Sequence, residues 1–157
     1  MIDSIDFAKI IINRVSLYNE GKEKRGKKEK ITLGETKLHK LLYICDGFLL
    51  AGDMDIIDEN PKAWNYGPVY PNVNIWLKKE PNAFTKKYEN VAEIPEKKEE
   101  VNSLIDAVID SFGHWTPYEL SNWTHSPGSP WEKALIRGKG IMSSVIDKND
   151  MKRYFKV

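Results

Sequence analysis

The run KLHKLLYICDGFLLAG, residues 37 to 52, constrains the fold of this chain more than any other segment. Apolar side chains recur in it at three- and four-residue steps, the spacing of one face of an α-helix. These residues are Leu38, Leu41, Leu42, Cys45, Phe48 and Leu49. Thr32 and Glu35 have the spacing of a capping box, and Gly52 suits a helix end. We therefore predict a central core helix over residues 33 to 51.

Two other segments repeat this period and predict helices that pack against the core helix. The first covers residues 3 to 20 and ends before Gly21, and the second covers residues 96 to 112. Thr116-Pro117 and Ser129-Pro130 each place a capping residue before a proline, and both arrangements are favoured at a helix start. Shorter helices are predicted over residues 71 to 79, 117 to 125, 130 to 136 and 147 to 155.

The segment from residue 56 to residue 70 reads differently from the helices. Pro68 and Pro71 bias the residues before them away from helical geometry, so the backbone must be extended or turning there. We predict a small β element, a strand or hairpin, around residues 56 to 70 and 141 to 146. The fold class is thus mainly α, and we predict a compact helical single domain over residues 1 to 157.

The overall composition limits the classes of function. With 24 basic and 23 acidic residues the net charge is +1, which gives no global attraction to nucleic acid or to a membrane. The single cysteine, Cys45, excludes an internal disulfide and lies in the apolar stripe, where an inert buried thiol is expected. The start of the chain lacks a secretory leader and no apolar stretch reaches about 18 residues, which favours a cytoplasmic protein.

The segment GKEKRGKKEK, residues 21 to 30, carries six basic and two acidic side chains and no apolar one. Such a run is typical of an exposed, mobile loop. Contact with phosphates is an alternative. However, no aromatic residue is interleaved with its charges, so we favour the solvated loop.

Histidine, tyrosine and aspartate side chains offer the only candidates for acid-base chemistry. His39, Tyr43 and Asp46 fall at i, i+4 and i+7 on the predicted core helix, opposite the leucines. The alternative is a hydrogen-bond ladder at a surface or interface. Because a reaction site needs groups that converge from several elements, we assign no catalytic residue. His114 and His125 lack a partner at metal-ligand spacing, so neither a metal nor a cofactor is expected.

Four large rings lie around the Gly67-Pro68 break, in a segment with almost no charge. They are Trp64, Tyr66, Tyr70 and Trp76. Such rings could stack nucleic-acid bases, line a ligand pocket, pack a small core or anchor a partner protein. A base-stacking platform needs basic residues nearby, and residues 63 to 77 contain none. Three roles therefore remain open for the four rings: core packing, contact with a partner protein and binding of a small ligand.

Three segments of the chain form an ordered set. They are KLHKLLYICDGFLLAGD (37 to 53), AWNYGPVYPNV (63 to 73) and ELSNWTHSPGSPWEKA (119 to 134). Taken together they resemble the Panacea domain, the SocA-like antitoxin family found in bacterial, archaeal and phage genomes. That family has a KLxKLLY-type helix, an A-W-x-x-G-P-V segment and a closing L-S-x-x-T-H-x-x-x-P-W stretch. Trp123 and the spacing around Gly128 alter the last of these slightly. The likeness covers about residues 5 to 155.

The resemblance implies a non-enzymatic antitoxin, of a bacterium or prophage, that neutralises a co-encoded toxin by direct protein binding. Some family members are similar to proteolytic adaptors that tether a client to an unfoldase-protease, and this is the main alternative. An enzyme built on the three acid-base candidates and a transcriptional regulator are the others.

The resemblance also assigns roles to individual residues of this chain. Eight motif positions are expected to build the shared fold, namely Lys37, Leu38, Lys40, Leu41, Leu42, Gly67, Pro68 and Val69. Eight further residues are candidates for partner binding, namely His39, Tyr43, Trp64, Tyr66, Tyr70, Trp76, His125 and Trp131.

Overall fold

The computed structural model describes residues 1–25, 29–141 and 143–156, which contain seven α-helices, a short 3-10 turn at Ala83–Thr85 and five short strands. The helices are α1 (Ser4–Arg25), α2 (Glu35–Ala51), α3 (Pro71–Lys79), α4 (Lys98–Phe112), α5 (Pro117–Thr124), α6 (Pro130–Arg137) and α7 (Lys148–Phe155). The strands are β1 (Ile2–Asp3), β2 (Ile57–Asp58), β3 (Lys62–Trp64), β4 (Gly67–Val69) and β5 (Ser144–Val145). The predicted mainly α fold with a small β element is confirmed.

Helix α2 lies at the centre of the fold, and 13 of its 17 residues are buried. Helices α1, α4, α5 and α7 and strand β4 all pack against it. It ends at Ala51 before Gly52, as predicted, but it begins at Glu35 after Gly34, which gives no side-chain cap. The predicted capping box from Thr32 is therefore wrong. The extended backbone of Gly34, with φ of −138° and ψ of −178°, places Thr32 before the helix, and the Asn19 side chain pairs with both backbone groups of the preceding Ile31.

Helix α1 is longer than the sequence predicted. It continues through Gly21 to Arg25, so the first half of the predicted loop at residues 21 to 30 is helical. A glycine inside a helix costs only about 1 kcal/mol relative to alanine, and the lysines, glutamate and arginine that follow are good helix formers. Residues 26–28 of the predicted loop lie outside the described residues.

The strands form two small sheets, and all of them except β1, which was not predicted, lie in the regions where the sequence predicted a β element. Strand β1 pairs in parallel with β2, with Ile2 opposite Ile57. The second sheet has the order β4-β3-β5 and is antiparallel throughout. Strands β3 and β4 form a hairpin whose turn is Asn65-Tyr66.

The short helices begin where their prolines predicted. Helix α3 starts at Pro71. Helix α5 has the full capping box, in which Thr116 Oγ1 accepts the Glu119 N–H at 3.1 Å and Glu119 Oε1 accepts the Thr116 N–H at 2.9 Å. In α6 Ser129 caps the Glu132 N–H at 3.2 Å. None of the helices in the described ranges combines the length and the apolar character needed to cross a bilayer.

Candidate functional site

Segments far apart in the sequence meet around one buried lysine. Lys40 of α2 is only 1% exposed, and its Nζ donates a hydrogen bond to the carbonyl oxygen of Pro68 at 3.2 Å. Gly67 lies directly against it with φ of +114°. A Cβ atom at Gly67 would lie 2.7 Å from Lys40 Cε and 2.6 Å from Thr124 Oγ1. Both the backbone angle and the available space therefore require glycine at this position.

The segment that joins α5 to α6 closes this junction from the other side. Trp131 Nε1 donates to the carbonyl oxygen of Trp64 at 2.8 Å, and the Trp131 ring stacks on His125 with centroids 3.8 Å apart. Burial and the nearby Lys40 charge lower the pKa of His125. Trp64 Nε1 donates in turn to Ser143 Oγ at 3.2 Å. The hairpin is therefore anchored through both the backbone and the side chain of Trp64.

The ammonium group of Lys40 is buried, and burial disfavours its charged form. Burial lowers its pKa to about 8, because the ammonium loses its water. No carboxylate in the described part of the chain forms an ion pair with Lys40. The ammonium therefore depends on neutral acceptors such as the Pro68 carbonyl.

A second buried polar cluster lies beside the first along α2. Tyr70 joins it twice, because its N–H donates to His39 Nδ1 at 3.1 Å and its hydroxyl donates to Asp46 Oδ2 at 2.8 Å. Lys148 of α7 places Nζ 3.7 Å from the same Asp46 oxygen. Burial raises the pKa of Asp46 to about 7, and this outweighs the lowering by Lys148 and Tyr70. Burial and Lys40 lower the pKa of His39 to about 3. The neutral His39 ring accepts at Nδ1, so its proton lies on Nε2.

The structure corrects the placement of the acid-base candidates on an open helix face. His39, Tyr43 and Asp46 are each 3% exposed or less. The face of α2 opposite the leucines is covered as well, and Phe155 of α7 packs edge-on against Tyr43 with ring centroids 5.5 Å apart. A surface hydrogen-bond ladder is therefore wrong. Solvent and substrate do not reach these groups in this conformation.

Four of the eight candidate partner-binding residues lie away from the hairpin surface. His39, Tyr43 and Tyr70 are internal, and their burial prevents direct contact with a partner. We correct their role to packing and internal hydrogen bonding. Trp76 belongs to a different contact, where its half-buried ring packs edge-on against Tyr88 at 5.9 Å.

The other four candidates come together at the hairpin. Trp64, His125 and Trp131 are half-buried, whereas Tyr66 in the turn is 73% exposed. Partner contact by these residues stays a prediction. An open depression of about 340 Å³ is lined by Trp64, Asn65, Tyr66 and Ser143.

The residues of both clusters on α2, β4, α5 and α6 fall within one family match. The family model described as "Antitoxin SocA-like, Panacea domain" matches residues 38–132 of this chain. The chain belongs to this family. The resemblance found in the three sequence segments is thereby confirmed. Comparison with curated proteins and with solved structures gave no significant match.

The Panacea motifs of this chain are largely internal. The eight positions expected to build the fold are all buried, namely Lys37, Leu38, Lys40, Leu41, Leu42, Gly67, Pro68 and Val69. Lys37 Nζ, for example, donates to the Gly113 carbonyl at 2.7 Å. The motifs therefore specify a scaffold, and they leave the turn residue Tyr66 on its surface.

Sequence reasoning missed two contributors that lie beyond the Panacea match. Lys148 reaches Asp46 from α7, and Ser143 accepts the hydrogen bond of Trp64. No local pattern indicates either contact. The burial of Lys40 did have a signal, because His39, Lys40 and Asp46 are the only ionisable interruptions, tyrosine and cysteine aside, in the apolar run from residue 38 to residue 50. A helix that is apolar all round is a buried helix.

Proposed function

We propose that this protein is an antitoxin that neutralises a co-encoded toxin by binding it directly in the cytoplasm, without catalysing a reaction. Membership of the SocA-like, Panacea-domain family carries the proposal. Neutralisation by contact needs a stable surface that a toxin can meet, and it needs no reactive group.

The geometry supports binding over catalysis. The acid-base groups of α2 are all buried, and two of them, His39 and Asp46, are hydrogen-bonded to Tyr70, so they are not positioned to act on a substrate. In contrast, the hairpin presents Tyr66 on a turn that Gly67, Lys40 and Trp131 hold from beneath. A preformed anchor of this kind loses little conformational freedom on binding, which favours affinity.

A growth assay tests the proposal. The adjacent gene is expressed from an inducible promoter, alone and together with this protein. We expect growth arrest with the adjacent gene alone, rescue on co-expression, and co-elution of the two purified proteins in gel filtration. An adjacent gene that is harmless alone would contradict the proposal, and so would an arrest that persists when both proteins are present at equal levels.

A further inference from the structure

The outward side of the β4-β3-β5 sheet carries an unusual combination of exposed groups. In β3 the side chain of Ala63 is buried, so those of Lys62 and Trp64 on either side of it point the other way. Strand β5 places Val145 directly opposite Lys62. We call the hairpin face the side chains of Lys62, Trp64, Tyr66 and Val145, together with those of Lys139 and Ile141 in the segment between α6 and β5.

Three large apolar side chains of the hairpin face are open to solvent. Tyr66 is 73% exposed, Ile141 is 66% exposed and Val145 is 55% exposed. The Ile141 carbonyl accepts the Ser144 hydroxyl at 2.6 Å, which holds this residue at the start of β5. Single exposed apolar residues are ordinary, but Tyr66 also lines the depression beside Trp64, and a ring exposed at the rim of a depression is typical of an interaction surface.

The hairpin face itself carries two cations, Lys62 and Lys139, and no carboxylate, although Asp147 follows Val145 by two residues and Glu132 precedes Lys133. Residues 61 to 70 contain one cation, Lys62, and residues 133 to 146 contain three, Lys133, Arg137 and Lys139, while neither stretch contains a carboxylate. Lys62 and Lys139 form no ion pair within the described ranges. Arg137 does bind Asp150 at 2.7 Å, but that carboxylate is shared with Arg153 at 2.6 Å. Since the whole chain has a net charge of only +1, the positive charge here is local.

We propose that the hairpin face is the surface that meets the toxin, and that the toxin presents carboxylates around an apolar patch to it. This inference rests on the proposed antitoxin function. Complementary charge steers the encounter and excludes wrong partners, while buried aromatic and aliphatic groups supply most of the affinity. Tyr66 is the anchor, and Lys62 and Lys139 are the residues that select acidic partners.

Two other occupants fit the observations less well. A single-stranded nucleic acid needs several free rings for successive bases, whereas the Trp64 ring is half-buried and its Nε1 is tied to Ser143. Tyr66 is then the one open ring of the hairpin face. A second copy of this chain would bring two positive faces together, which is repulsive.

The test measures the affinity of the purified adjacent-gene product for four variants and the wild type. Tyr66→Ala is expected to weaken binding by about tenfold or more. Its matched control is Tyr118→Ala, because Tyr118 is equally exposed, at 74%, but lies on α5. We expect this control to bind within about twofold of wild type.

The charge is tested in the same way. The double variant Lys62→Glu, Lys139→Glu is expected to weaken binding by about tenfold and to remove most of its dependence on salt between about 50 and 300 mM. Its control is Lys78→Glu, Lys79→Glu, which changes the net charge equally on the exposed end of α3. Circular dichroism verifies that every variant is folded.

The possible outcomes distinguish a failure of the hairpin-face inference from a failure of the proposed antitoxin function. If wild type binds the toxin and the hairpin-face variants bind as tightly as their controls, the inference fails and the antitoxin proposal stands. If wild type does not bind the adjacent product, both fail. Binding of a single-stranded oligonucleotide that depends on Tyr66, or a wild-type dimer that Tyr66→Ala dissociates, would also overturn the inference.

Discussion

Replacing the buried Lys40 with methionine should stabilise the protein at neutral pH. The pKa of Lys40 falls from 10.5 to about 8, and at about 1.36 kcal/mol per pKa unit this destabilises the folded, charged form by about 3 kcal/mol. Methionine has a similar length and no charge to desolvate. It gives up the hydrogen bond to the Pro68 carbonyl, which contributes about 1.5 to 3 kcal/mol. The expected net gain at pH 7 is therefore about 1 kcal/mol.

The pH dependence of this gain identifies its cause. Between pH 8 and pH 10.5 the unfolded lysine binds more protons than the folded one, so wild-type stability rises with pH relative to the variant. Close to half of the roughly 3 kcal/mol is recovered between pH 7 and pH 9. The advantage of Lys40→Met should therefore disappear by pH 9.

Urea unfolding of both proteins at pH 7 and pH 9 measures this difference directly. Burial also raises the pKa of Tyr43, Tyr70 and Cys45, so alkaline pH lowers the stability of both proteins, and subtraction removes that shared effect. A difference in unfolding free energy that is the same at both pH values would contradict a lowered pKa of Lys40. It would mean that the lysine is not buried as a charged group.

Three further substitutions probe the scaffold. Gly67→Ala should lower the free energy of unfolding in urea by about 2 to 4 kcal/mol, because it adds backbone strain and a clash with Lys40, and a loss below about 1 kcal/mol would contradict the close approach. Phe155→Ala should cost about 3 to 5 kcal/mol in the same assay, because its ring fills the space over Gly47, and an unchanged stability would show that α7 is not docked. Thr116→Ala should cost about 1 kcal/mol by thermal unfolding, while Thr85→Ala, at an exposed turn, should cost less.

Features that depend on local chemistry could be predicted from the sequence. The proline at the start of α3 and the Thr116 cap of α5 act through neighbouring backbone groups, so their effect does not depend on the rest of the fold. The same holds for Gly52 at the end of α2. The start of α2 was predicted incorrectly because the backbone is extended at Gly34, which the Thr32 and Glu35 spacing does not indicate.

The candidate site was only partly predictable because its side chains meet across segments that are distant in the sequence. Tyr66 and Tyr70 are four residues apart and chemically alike, yet one is exposed and the other is buried. The difference arises because Tyr70 reaches His39 and Asp46 on α2, while Tyr66 lies in a turn that points away from it. Such contacts between distant segments leave no periodic signal in the sequence.

We propose that this protein neutralises a toxin by covering it, and the stoichiometry of neutralisation distinguishes covering from catalysis. Increasing amounts of purified protein are added to a fixed amount of toxin, residual toxin activity is measured, and the mass of the recovered toxin is determined. We expect toxin activity to fall in proportion to the added protein and to reach zero at a fixed molar ratio, while the mass of the toxin stays unchanged. Complete inactivation by a small fraction of that amount, or a toxin of altered mass, would show that the toxin is inactivated by catalysis and not by covering.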